Sequence, residues 1–96
     1  MLTGKQKRFL RALGTQLDPV VQVGKGGISD SVVSSATEAL AARELIKGRV
    51  LETAPEDAES TASQLAELTG SSLVQVVGRN FLLYTPSTDK PKIQLP

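Results

Sequence analysis

Val20-Val21-Gln22-Val23-Gly24-Lys25-Gly26-Gly27-Ile28-Ser29 is the stretch on which the reading of this chain turns. The valines are β-branched and favour a short strand. Gly24 to Gly27 form a glycine turn with one lysine at its tip. Ser29 is placed to cap a following helix, and Ile28 to pack on Val33 as a hydrophobic staple. Glycines here permit positive φ and close approach of another molecule. A helix starting just beyond aims unpaired N–H groups outward. Strand, turn and helix in this order begin a βαβ unit, so the stretch predicts an α/β fold. With Lys25 it is also suited to holding a phosphate backbone.

Upstream, Thr3-Gly4-Lys5-Gln6 fits a capping box and predicts a helix from Thr3 to about Gln16. Phe9, Leu10, Leu13 and Leu17 share one face of it, while Lys7, Arg8 and Arg11 fall opposite and Lys5 lies toward the edge. Four bases and no acid before Asp18 mark that outer face as a candidate anion-facing surface, although a charged solvated helix has the same pattern. Pro19 then opens the first strand, read as a short, buried central one.

Downstream, Val32, Val33, Ala36, Ala39 and Leu40 make an apolar stripe on a helix ending near Arg43. Glu44 to Glu52 reads as the second strand. Lys47 and Arg49 point to one side of it, as a solvated face or edge protection, and Gly48 between them marks a bulge or a close backbone approach. Thr53-Ala54-Pro55-Glu56 fits a second capping box with Pro55 in the first turn, and its helix reaches about Thr69, with Ala58, Ala62, Leu65, Ala66 and Leu68 inward and Gly70 as cap. Ser72–Val77 and Phe81–Thr85 form a hairpin with Arg79 at its tip. Residues 86–96 carry three prolines and are read as an extended tail, with Ile93 and Leu95 available to dock on the domain. The expected architecture is one domain over 1–96, a compact α-β-α-β-α-β-β arrangement with a four-stranded mixed sheet and packed helices.

Composition narrows the function. The 96 residues contain no Cys and no His, so disulfides, thiolate zinc sites and the usual neutral-pH proton shuttle are excluded. Asp18 and Asp30 flank the glycine turn without a second catalytic group beside them, and no enzyme activity, metal or cofactor is expected. Aromatic residues are 3% of the chain, too few for recognition based on stacked bases. The net charge of +1 conceals an uneven distribution: bases crowd the N-terminus, whereas Glu38, Glu44, Glu52, Glu56, Asp57 and Glu59 lie together in the middle. No apolar run approaches the ~20 residues of a membrane span, and no apolar segment follows the N-terminal lysines. A cytoplasmic location is therefore expected.

The turn lacks the spacing of a Walker A loop, and Ser29 stands where a dinucleotide fingerprint requires its third glycine. Gly24-Lys25-Gly26-Gly27 matches the Gly-x-x-Gly clamp that grips single-stranded backbone in KH-type domains, while tight strand-to-helix turns also favour glycine for structural reasons alone. Asp30 would repel an anion directly over the helix axis, so a phosphate would sit toward Lys25 and Gly26.

Taken together, Leu2-Thr3-Gly4-Lys5-Gln6-Lys7-Arg8, Asp18-Pro19-Val20-Val21-Gln22-Val23-Gly24-Lys25-Gly26-Gly27, Glu44-Leu45-Ile46-Lys47, Val74-Gln75-Val76-Val77-Gly78-Arg79 with Leu83-Tyr84, and the closing Lys92-Ile93-Gln94-Leu95-Pro96 resemble the YhbY-like, or CRM (chloroplast RNA splicing and ribosome maturation), domain family. The resemblance covers nearly the whole chain. It implies a fold like the C-terminal domain of translation initiation factor three, and RNA binding through the Gly-x-x-Gly loop and nearby bases. It further implies association with ribosomal RNA of the precursor large subunit during assembly. One departure is Thr85, where members often place a base after the tyrosine. The expected RNA-binding residues are Gly24, Lys25, Gly26, Gly27, Lys5, Lys7, Arg8, Arg11 and Arg79, in a protein that is monomeric by default. The competing expectation is a protein-interaction module docking a ribosomal protein or assembly factor through its acidic surface.

Overall fold

The computed structural model describes residues 2–96. In chain order it runs α1 (Gly4–Gly14), β1 (Pro19–Val23), α2 (Asp30–Arg43), β2 (Leu45–Val50), α3 (Ala58–Thr69), β3 (Ser72–Val77) and β4 (Asn80–Tyr84). The strands form one four-stranded mixed sheet in the order β1-β2-β4-β3. β1 and β2 are parallel, joined across α2, and the β3–β4 hairpin adds two antiparallel pairings. β1 is consequently an edge strand rather than the central strand expected, because β4 takes the other side of β2. Its sequence fits an edge: Pro19 lacks an N–H, and Val20 is an extra residue opposite β2 and stands exposed.

The helices divide between the two faces. α2 and α3 cover one, where Ala36, Leu40, Ala62, Leu65 and Ala66 pack on Val21, Ile46, Val50, Phe81 and Leu83. α1 covers part of the other, where Leu10 packs with Leu45, Val74, Leu82 and Tyr84, and Leu2, Leu17, Ile93 and Leu95 close over them. The tail therefore docks through Ile93 and Leu95 as expected. Val74 reaches this cluster through an irregularity in β3, where Leu73 and Gln75 face consecutive residues of β4.

Two glycines set the packing distances. On β2, Gly48 lies opposite Phe81, whose buried ring occupies the space where a Cβ would stand. This is a close approach without a bulge, since β2 and β4 pair in unbroken register from Leu45 to Arg49. On α1, a Cβ at Gly14 would come 2.9 Å from Leu82 Cδ2. The buried line of α1 is therefore Leu10 and Gly14, and Phe9 and Leu13 of the expected apolar face remain 37% and 39% exposed.

Capping decides the helix limits. Thr3 and Gln6 form the expected reciprocal box, with bonds of 3.1 and 3.0 Å, and Ser29 caps α2. α3 starts later than expected, at Ala58: Asp57 Oδ1 accepts from Ser60 N at 2.8 Å, and Pro55 stays outside the helix. Leu68, expected inward, is 60% exposed, and Thr61 is buried in its stead. Gly70 ends α3 at φ 70° as expected.

α2 ends on Glu44, a non-glycine residue at φ 67°. Its N–H donates to the Leu40 carbonyl and its own carbonyl accepts from Thr85 N. The buried carboxylate accepts backbone N–H groups from Ser87 at 2.6 Å, Lys92 at 2.7 Å and Ile93 at 2.8 Å. Lys92 Nζ donates to the Ala42 carbonyl. One side chain at the end of α2 thus clasps the tail over the second cluster. The Ser87 bond foremost, with those of Ile93 and Lys92, holds the Glu44 carboxyl below its usual value against the opposing effect of burial. Burial, and secondarily the Glu44 charge, pushes the Tyr84 phenol up.

Candidate nucleic-acid interface

The glycine turn projects from the C-terminal end of β1. Gly27 N donates to the Gly24 carbonyl at 2.9 Å, closing a four-residue turn. Gly27 lies at φ 65°, a region that L side chains rarely adopt, and a Cβ there would approach Pro55 Cγ to 3.1 Å. A Cβ at Gly26 would meet nothing within 4 Å, so this is the open side of the loop. The Gly27 N–H is engaged inside the turn and is not available to an anion. The N–H of Gly26 and the side chain of Lys25 remain. Lys25 is exposed and has no ion pair among the described residues.

The same end of the sheet carries the hairpin tip. Leu51 N donates to the Val23 carbonyl and Val50 N to the Arg79 carbonyl, both at 2.8 Å, tying the turn, the segment after β2 and Arg79 together. Arg79 Nη2 lies 3.7 Å from Glu52 Oε1, with both side chains largely exposed. A pair of this kind contributes little in water and exchanges readily for another anion.

Two acids near the turn are occupied elsewhere, whereas Asp30 opens α2 beside it. Asp57 caps α3, and the Glu56 carboxylate accepts from Gln64 Nε2 at 2.9 Å and Ser60 Oγ at 2.8 Å. These side-chain bonds, that of Gln64 first, hold the Glu56 carboxyl below its ordinary value. Among the described residues the one ion pair is Arg79–Glu52, and no three metal-ligating side chains gather.

The remaining candidate cations fall into two groups. Lys5, Lys7 and Arg8 lie on the half of α1 beside the tail, where Gln6 Nε2 donates to the Pro96 carbonyl at 3.4 Å. Arg11 lies on the other half. It lines an open cleft of about 250 Å³ with Gly14, Thr15, Lys47, Gln75, Val77, Asn80, Phe81 and Leu82. Among the described residues no hydrogen bond or ion pair joins Lys5, Lys7 or Arg8 to the glycine turn.

The cleft reflects how little of its face α1 covers. Across the sheet Gln22 pairs with Arg49, Arg49 with Asn80, and Asn80 with Val77; one row further, Lys47 pairs with Leu82 and Leu82 with Gln75. Strand alternation turns these residues toward the α1 side. Among the described residues Lys47 and Arg49 have no ion pair. Their signal in the sequence was the period-two placement; that the face would lie bare was not readable without knowing where α1 packs.

The model of the CRS1/YhbY (CRM) domain family matches residues 2–85, which carry every helix and strand of this fold, from α1 to β4. The chain belongs to this family. It is 48% identical over 96 residues to a Bacillus subtilis relative named "Probable RNA-binding protein YqeI", covering all of both chains, and 37% identical over 95 residues to one from Haemophilus influenzae named "RNA-binding protein", covering 99% of this chain and 95% of that one. The solution structure of SAV1595 from Staphylococcus aureus superposes over both full chains with a TM-score of 0.84 at 45% identity.

Proposed function

We propose that the protein binds RNA, that this RNA is ribosomal RNA of the precursor large subunit during its assembly, and that it acts in the cytoplasm by binding alone, without catalysis. The observation that carries the reading is the turn Gly24–Gly27, open at Gly26 and tipped by an unpaired Lys25. A phosphate seated there meets the Gly26 N–H and the Lys25 ammonium on the side away from Asp30, and Arg79 stands at the same end of the sheet. Arg11, and Lys5, Lys7 and Arg8 along α1, extend the positive surface. The names of the relatives support RNA as the ligand. Contacts of this kind supply affinity with little sequence preference. The acidic-surface reading loses two of its members, because Glu56 and Asp57 are engaged in ordering the start of α3.

The test is the double substitution K25D/G26D. Both positions are exposed and Gly26 is open, so the circular dichroism spectrum is expected to match the wild type while retention of RNA is lost. Wild-type retention by this variant would overturn the role of the loop.

A further inference from the structure

We infer that the half of the sheet face left bare by α1 is a second RNA-contacting surface, on which an unpaired strand leaving the glycine turn continues across β1, β2 and β4. The inference rests on the RNA-binding reading and extends it to residues outside the loop and helix. Three observations carry it. The first is charge: Arg11, Lys47 and Arg49 lie on or over this face, and no carboxylate lines the cleft or pairs with them among the described residues. Cations set close together without counter-ions raise the local concentration of a polyanion.

The second is chemistry. Gln22 and Asn80 flank Arg49 across the sheet, Gln75 lies beyond Leu82 from Lys47, and each amide offers both donors and acceptors. Cations suit phosphate oxygens and amides suit base edges, a combination that fits RNA better than a simple anion. The bases must be unpaired, because a duplex keeps its major-groove edges where side chains cannot reach them. The third is continuity. Gln22 is two residues before Gly24 on the same strand, it pairs with Arg49, and a Cβ at Gly24 would lie 3.4 Å from Leu51 Cδ1. The turn and the bare face are thus neighbours at one end of the sheet, and a strand gripped at Lys25 reaches the Gln22–Arg49–Asn80 row next.

The experiment is an amide-correlation NMR titration of the full chain with an equimolar pool of random-sequence RNA 12-mers. It is paired with affinity measurements over a range of salt for the wild type and K47Q/R49Q. Shifts are expected at the backbone amides of Lys25 and Gly26 and also at Gln22, Lys47, Arg49 and the side-chain amides of Gln75 and Asn80. K47Q/R49Q is expected to keep the loop shifts and the dichroism spectrum, to bind more weakly, and to show a log–log salt slope shallower by about 0.7 for each phosphate contact removed. Loop shifts without shifts on the sheet face, or an unaltered slope in K47Q/R49Q, would overturn this inference and leave the binding role of the loop standing. No shifts anywhere, with no measurable binding by the wild type, would overturn both.

Discussion

Replacing Gly48 with alanine tests the packing that fixes the sheet. The added Cβ would lie 2.5 Å from Phe81 Cε1 and 2.8 Å from Cε2, where ordinary contact begins at 3.4 Å. The ring must therefore retreat by close to an ångström. Phe81 is 1% exposed and packed within the cluster that α2 and α3 close, so no free space receives it. Overpacking of this kind costs about 1–3 kcal/mol, and the lower entropy of the unfolded chain with alanine in place of glycine returns about 0.4–1 kcal/mol. A net loss near 1–2 kcal/mol lowers the melting temperature by roughly 4–16 °C in a domain of this size. Thermal unfolding followed by circular dichroism measures it. F81L should also destabilise alone, by leaving a void, but in the G48A background the smaller side chain makes room for the methyl. The double mutant should then be more stable than the sum of the single effects by at least about 0.5 kcal/mol. A G48A melting temperature at or above that of the wild type, or strict additivity in the double mutant, would refute the reasoning.

D57A removes the cap of α3 and should lower stability by about 1 kcal/mol in urea unfolding, whereas T53A, at the cap expected from sequence, should have no comparable effect. G27A forces a side chain into φ 65° and against Pro55; it should destabilise the fold and displace the turn, read as loss of the Lys25 and Gly26 amide positions in NMR spectra. E44Q removes the negative charge that three tail amides share, and hydrogen exchange at Ser87, Lys92 and Ile93 should accelerate while that of the central strands stays unchanged. The pH dependence has a fixed sign. The Glu44 carboxyl is held lower in the fold than its usual 4.5, so its stabilisation is fully present above that value and is lost as pH falls below it through the folded value, and tail exchange should rise over that window.

Local pattern revealed the element order, the α2 stripe and the hairpin, because each depends on residues close in sequence; Ile93 and Leu95 stood out only as apolar residues in the tail. The errors arose where distant partners decide. β1 has the composition of an interior strand, yet β4 claims the second side of β2 and leaves β1 at the edge. The start of α3 was read at the Thr53 box; Asp57 caps the helix instead, because its carboxylate reaches Ser60 N while Pro55 lies beside Gly27. Glycine meant different things at different positions. Gly26 and Gly27 are loop glycines, open or at positive φ, whereas Gly14 and Gly48 exist to admit Leu82 and Phe81. The place of Gly48 inside a strand marked its close approach, whereas nothing nearby in sequence marked that of Gly14. At the candidate interface the loop was legible from its motif. The bare sheet face was not, because its exposure follows from the limited reach of α1. Glu44 read as the first residue of a strand, since nothing nearby in sequence announces the tail amides it binds.

A net charge of +1 understates how this surface acts on a polyanion. Glu44 is buried under the tail and shared among three amides, Glu56 is held by Gln64 and Ser60, Asp57 caps α3, and Glu52 faces Arg79. These carboxylates serve the fold, and all but Glu44 lie in or next to the segment leading into α3. Lys25, Arg11, Lys47 and Arg49 have no such engagement among the described residues; they lie on the turn and on the opposite face of the sheet. A ligand with phosphate groups reaching that side meets cations that no ion pair engages among the described residues, so the attraction exceeds what the total charge implies and weakens as added salt shortens the Debye length from about 10 Å at 0.1 M. The acids could move to the other face without altering the net charge, and the attraction would then be lost. What matters for binding is therefore the placement of the acids, which the caps and the clasp fix, and not the single surplus positive charge.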